Sequence, residues 1–265
     1  MNRGGMRRAL IIGVLCVLGG VAAIAQQPSS PLRFEVASVK PNNSGSVNST
    51  TRTLPNGTFQ VVNAHLKSMV GYGYDMRPIQ ILGGPDWVES DRFDVLAKTS
   101  EKEWDGGQMR SMVRALLADR FKLVAHTETR EQPVYSLVLA RRDGRLGSQL
   151  KPSTRDCSTG QGRPCGVNMT RDNRGAAMQA IAVSLADFAA TLGSVVDRIV
   201  LDRTGVTGAF DVELRFTMEG SPGGVAGDAS SIFAALQEQL GLKLESARGP
   251  VEVLVIDSVS RPTPN

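Results

Sequence analysis

Phe93-Asp94-Val95 and Phe210-Asp211-Val212 are one triplet written twice, and the sequence on either side of it repeats as well. Before the first copy come Gly57, the alternating run Phe59-Gln60-Val61-Val62, then Leu66, Met69 and Val70 at helical spacing, and Ile79-Gln80-Ile81. After it come Leu116-Leu117 and Pro133-Val134-Tyr135-Ser136-Leu137-Val138. Around the second copy stand Gly175, Leu185 with Phe188, Ile199-Val200-Leu201, Leu236 and Pro250-Val251-Glu252-Val253-Leu254-Val255. Matched positions lie 117 to 120 residues apart. Self-similarity at a fixed period marks duplicated architecture.

Each unit reads strand–helix–strand–strand–helix–strand–strand, and strands with one-sided helices imply α+β sheets. The expected fold is therefore α+β, in two tandem related halves. Each half is a small sheet covered on one face by two helices. The expected boundaries are a signal peptide over 1–25, a lead-in over 26–33, a first half over 34–143, a loop-rich linker over 144–175 and a second half over 176–265.

Four apolar stripes predict the helices. Ser184 caps Leu185–Leu192, with Asp187 at the capping-box position and Gly193 just past the end. Met109, Met112, Val113, Leu116 and Leu117 form a second stripe. Ile232, Phe233, Leu236 and Leu240 form a third, started by Ser230 or Ser231 and stopped by Gly241. Leu66, Met69 and Val70 form the fourth. Arg130 to Pro133 and Ser246 to Pro250 read as turns, which predicts two hairpins, Phe121–Thr127 with Val134–Ala140 and Leu242–Leu244 with Val251–Ile256. Val134–Ala140 and Val251–Ile256 are the candidate edge strands.

Arg3, Arg7 and Arg8 precede the apolar run Leu10 to Gly20, and Ala23-Ile24-Ala25 is a small-residue cleavage site. This reads as a secretory leader cut before Gln26. The alternative, an uncleaved anchor, meets a run shorter than the roughly 20 apolar residues that a span needs. Without residues 1–25, 27 basic residues face 26 acidic ones. A near-neutral chain carries no electrostatic footprint for nucleic acid, and no second apolar run is long enough to span a membrane. Cys157 and Cys165 remain, separated by a stretch with Gly160, Gly162 and Pro164. Export makes a disulfide the default reading. A metal or redox pair is the alternative, without C-x-x-C spacing or a neighbouring His to favour it.

Several stretches carry a resemblance. They are Phe34-Glu35-Val36-Ala37-Ser38-Val39-Lys40-Pro41-Asn42, Gly83-Gly84-Pro85-Asp86-Trp87, and Leu117-Ala118-Asp119-Arg120-Phe121-Lys122-Leu123 with His126 and Glu128. Asp202-Arg203-Thr204-Gly205-Val206-Thr207-Gly208, Ala235 to Leu242, and Val255-Ile256-Asp257 with Arg261-Pro262 complete the set. The chain resembles a secreted domain family of unknown function, greatly expanded as paralogues in soil Acidobacteria (a Solibacter-type paralogous family). It departs from that pattern at Ser260, where an acid is expected. The resemblance implies export and a cell-envelope setting, and relatives fused to BlaR-type sensor peptidases imply sensing or regulation. Each half is also similar to the short N-terminal module of secretins and TonB-dependent transducers, which works by protein contact.

Chemical motifs are sparse. His126 and Glu128 form an H-x-E on one strand face, which can begin a metal site or can be a solvated face. Gly-x-Ser-x-Gly, H-E-x-x-H and a Gly-Lys-Ser/Thr phosphate loop are absent from the sequence. Asp202 and Arg203 read as an anion- or peptide-contacting loop or as a strand-linking turn. Trp87 reads as a binding anchor or as a plug for a small core. The expected protein is exported, periplasmic or extracellular, and non-catalytic. It binds an envelope protein or ligand, with no cofactor, no nucleic acid and no membrane span after leader removal. The alternative is a secreted hydrolase acting on an envelope or extracellular polymer.

Overall fold

A computed structural model describes residues 32–100, 104–157, 164–172, 175–217 and 231–262. The expected leader and most of the expected lead-in lie outside these residues. The protein is a mixed α/β structure. Its strands are β1 (Val36–Pro41), β2 (Thr50–Thr53), β3 (Thr58–His65), β4 (Ile81–Gly83), β5 (Arg92–Lys98), β6 (Val124–Leu139), β7 (Leu150–Pro152), β8 (Gly166–Asp172), β9 (Gly175–Val183), β10 (Val200–Asp202), β11 (Phe210–Phe216) and β12 (Leu242–Ser258). Its helices are α1 (Leu66–Tyr74), α2 (Trp87–Ser90), α3 (Gly106–Arg120), α4 (Leu185–Val195) and α5 (Ile232–Ala235), the last continuing as a π segment over Leu236–Leu240.

The strands make three four-stranded sheets. The first has order β1-β5-β3-β2, the third β7-β11-β9-β8, and the middle one β10-β6-β12-β4. The two outer sheets correspond strand for strand. Pro41 pairs with Phe93 and Lys40 with Asp94, as Pro152 pairs with Phe210 and Lys151 with Asp211. Both outer sheets carry a bulge with a left-handed residue, Asn63 at φ 56° and Ala182 at φ 52°. Left-handed residues also precede the two long strands, Lys122 at φ 51° and Gly241 at φ 67°.

The middle sheet overturns the expected hairpins. β6 and β12 are single strands of 16 and 17 residues, paired antiparallel from Leu242↔Leu139 to Ser258↔Val124. The two prolines that suggested turns lie inside them. Tyr135 donates outward to Ile199 O, so Pro133, two residues earlier, also turns its nitrogen away from β12. Pro250 sits opposite Glu131, at a position of the same parity, and also faces outward. A missing N–H on that side removes no bond from the ladder. Nor are Val134–Ala140 and Val251–Ile256 edges. β10 runs parallel along Tyr135–Leu137, and β4 runs parallel along Leu254–Ile256.

The linker expected over 144–175 contains β7 and β8, two strands of the third sheet. The sequence signal failed there because β7 is only three residues long and β8 lies at a sheet edge. The expectation of one small sheet per half also falls, since the middle sheet takes strands from both sides of that stretch.

The helical stripes are buried as their spacing demands, except Phe233, which is 39% exposed. Met109, Met112, Val113 and Leu117 of α3 pack with Leu66, Met69 and Val70 of α1 in one core that also takes Leu254 and Ile256 of β12. Asp105 caps α3 by accepting from Gln108 N at 2.7 Å, and Gln108 Oε1 accepts from Asp105 N at 2.8 Å. Phe188 and Leu192 of α4 share a second core with Leu236, Leu240, Leu137 and Leu242. Ser184 caps α4 as expected, with its hydroxyl accepting from Asp187 N at 3.1 Å.

Gly193 does not end α4 but lies within it. It leaves room for Arg77, which donates from Nη2 to Gly193 O at 2.6 Å and from Nη1 to Arg198 O at 3.3 Å. One guanidinium thus satisfies carbonyls at the end of a helix over a hundred residues away in sequence. Burial lowers its pKa, and the nearby Asp197 partly offsets that. A Cβ at Gly193 would stand 2.4 Å from Arg77 Nη1 and 2.9 Å from Arg198 O. Gly193→Ala should therefore lower stability by about 1–3 kcal/mol despite alanine's better helix propensity. Urea unfolding of the purified protein checks this.

Candidate functional site

β1 leaves the first sheet at Pro41, and the chain doubles back through residues 42–49 to reach β2. Without other fastening that return would be a polar loop with no core. Asn63 fastens it. Its left-handed backbone, a conformation that Asn tolerates better than most residues, turns its N–H onto Asp94 Oδ1 at 2.8 Å. Its side chain, only 2% exposed with the rest of the residue, donates to Ser46 O at 2.6 Å and to Asn48 O at 2.8 Å. Asn42 Nδ2 donates to the same Asp94 oxygen at 2.8 Å, and Arg92 Nη1 donates to Asn63 O at 2.8 Å.

The opposite wall comes from the chain's last described residues. The Arg261 guanidinium lies 5.0 Å from the centre of the Trp87 ring, and its Nε donates to Asp91 Oδ2 at 2.8 Å. Between these walls lies a cleft of about 680 Å³, lined among others by Asn42, Ser46, Ser90, Arg92, Phe93 and Arg261. Pockets of this volume accommodate small molecules or a few residues of peptide.

The third sheet repeats the frame without the fastening. Ala182 donates its N–H to Asp211 Oδ1 at 2.9 Å, as Asn63 does to Asp94, but a methyl group reaches no loop carbonyl. There the connection from β7 to β8 is closed by the Cys157–Cys165 disulfide. The outer face of that sheet holds a smaller groove of about 300 Å³ beside Lys151, Gln179 and Asp211.

The residues singled out in the sequence divide by position. Trp87 begins α2, packs edge-on against Phe93 at 6.4 Å and carries Arg261 on its other side, so it is both a core plug and a wall support. Asp202 accepts from Thr204 N at 2.9 Å and Thr204 Oγ1 at 2.7 Å, which makes it the closing acceptor of a turn. Arg203 is exposed, and its backbone N–H continues the β10–β6 pairing to Leu137 O at 2.9 Å.

His126 and Glu128 are each paired with a different group. His126 Nδ1 lies 2.9 Å from Asp257 Oδ1, and Glu128 is paired with Arg130. Among the described residues no group of three or more His, Cys, Asp and Glu is arranged to hold a metal ion. Sequence reading missed Asn63, Arg92 and Arg261. The break in alternation at Val62-Asn63-Ala64, with Asn where the strand should continue, was the available signal for the first.

Residues 67–259 match the family described as a protein of unknown function, DUF3738. That is more than half of the chain. The chain belongs to this family. Of the stretches that carried the resemblance in the sequence, Phe34 to Asn42 and Arg261-Pro262 flank the DUF3738 match, and both contribute to the cleft. No curated protein and no solved structure matches the chain.

Two outcomes test this geometry. Asn63→Gly keeps the left-handed backbone and removes the amide. It should accelerate hydrogen exchange across residues 42–49 and cost about 1–3 kcal/mol. Exchange measured by mass spectrometry at that loop and at the 153–157 control loop separates a local from a global effect. His126 is held above the ordinary histidine pKa, first by its hydrogen bond to Asp257 and then by that carboxylate's charge. The pair's contribution is present below pH 6.5 and lost as pH rises through the raised pKa. With only two histidines in the chain, NMR titration should give His126 a pKa above about 6.5, and Asp257→Asn should lower it.

Proposed function

We propose that this DUF3738 protein is an exported, non-catalytic binding module of the cell envelope, built from two related halves, with its ligand in the first-half cleft. The observation that carries the reading is convergence. Two separate stretches of the family resemblance, ending in Pro41-Asn42 and in Arg261-Pro262, line one cleft, and a third, ending in Trp87, supports Arg261 there. A scaffold under packing constraint alone has no reason to gather polar side chains from a loop, a strand start and a chain end around open space.

Common origin of the halves is supported by the paired bulges, each with an aspartate taking the bulge amide. Export is supported by the leader-like residues 1–25 and by the disulfide, which persists in oxidising compartments. Among the described residues no helix is long and apolar enough to cross a membrane.

The test places a photo-crosslinking residue at Ser90, inside the cleft, and at Glu213, on the outer face of the third sheet, in the protein expressed in its native envelope. A product formed from Ser90 and not from Glu213 is expected. No product from Ser90, or equal products from both, sinks the reading.

A hydrolase reading has one observation in its favour, the His126–Asp257 pair, which has the form of a base and its orienting acid. No Ser, Thr or Cys side chain is bonded to that imidazole among the described residues. His126→Ala should leave any activity found on envelope polymers unchanged. A loss of activity with the fold intact would favour the hydrolase.

A further inference from the structure

We infer that the first-half cleft takes an oxyanion, a carboxylate or phosphate group, between Arg92 and Arg261. This inference rests on the cleft being the binding site. Both arginines are among its lining residues, and Asp91 is the one acidic residue among them.

The donors are not used up. Each guanidinium presents five N–H donors in a rigid planar fork. Arg261 gives Nε to Asp91, and among the described residues its Nη groups make no hydrogen bond or ion pair. Arg92 gives Nη1 to Asn63 O, and its remaining nitrogens likewise have no acceptor there.

The two groups are also held in place before anything binds. Arg261 is stacked on Trp87 and tethered to Asp91. Arg92 is fixed by the buried Asn63, which in turn pins the loop forming the facing wall. Guanidinium forks with free edges match the planar oxygens of carboxylate or phosphate, and pre-positioning lowers the entropic cost of capture. The other charged groups facing the site are accounted for. Asp94 is engaged by Asn42 and by the Asn63 amide.

Trp87 reports on the site because Arg261 lies on its ring. With Trp104→Phe, Trp87 is the only tryptophan in the chain, since the sequence has two. Its fluorescence is titrated with trialanine bearing a free carboxylate, with the same peptide amidated, and with inorganic phosphate. A saturable change with free trialanine or with phosphate is expected, and whichever binds more tightly identifies the source of the oxyanion. The amide should give none. Arg261→Gln, on an exposed tail whose change should not unfold the protein, should weaken binding at least about tenfold. Arg203→Gln, at a residue that does not line the cleft, should leave it unchanged.

No saturable response to either anion overturns the inference, as does binding by Arg261→Gln as tight as the parent's. The Ser90 crosslink separates this from failure of the broader reading. A crosslink that forms while neither anion binds keeps the cleft as a binding site and rejects the oxyanion. Absence of both rejects the site itself.

Discussion

The antiparallel pairing of β6 with β12 is the constraint on which the rest of the molecule depends. It is the longest ladder in the described structure, and each strand belongs to a different part of the chain. Through β12 it contributes Leu254 and Ile256 to the first core. Through Leu137 and Leu242 it contributes to the second. Val134, Val251 and Val253 make a third, smaller cluster with Leu82 and Leu201, from the short flanking strands β4 and β10. One ribbon therefore enters every apolar cluster, and loosening it exposes all three. Such a non-local ladder is also expensive in loop-closure entropy, which favours a cooperative unit over two independently folding lobes.

Cross-connections reinforce the ribbon. Arg77 satisfies the end of α4, and Gln80 Nε2 donates to Glu252 O at 3.0 Å. Both come from the segment around β4, which itself pairs with β12. The short strand and the polar contacts thus act at one seam. Directional bonds of this kind specify which surfaces meet, while apolar burial supplies most of the driving force.

On this shared frame the two outer sheets differ at the bulge position. Asn63 and Ala182 share a left-handed backbone, which Asn tolerates and Ala adopts only at a cost. In the first sheet the side chain at that position gathers a loop and an arginine around open space. In the third it is a methyl group, and a covalent bridge closes the loop instead. The asymmetry explains why side-chain bonds fasten the loop that lines the first-sheet cleft. It also explains why polar groups that look unrelated in sequence, Asn42, Arg92 and Asp94, act together there.

Much of the local structure was legible in sequence, because it rests on short-range rules. Helical stripes, the Ser184 cap, the alternation of Phe93, Val95 and Ala97, and the proximity of the two cysteines all follow from periodicity, capping chemistry and spacing. The recurrence of Phe-Asp-Val announced two matching strands, and both aspartates do the same work. Tertiary structure alone decided how those pieces pair. Pro133 and Pro250 looked like turns because a missing N–H usually ends a strand. Only the register shows that both nitrogens face away from the ladder, where no bond is lost. Likewise β7 and β8 carry too little periodicity to be read without the neighbours that bury Leu150. The cleft was invisible for the same reason. It is made by residues 42, 92 and 261, and their meeting is fixed by strand pairing and the last residues' path rather than by anything local to them.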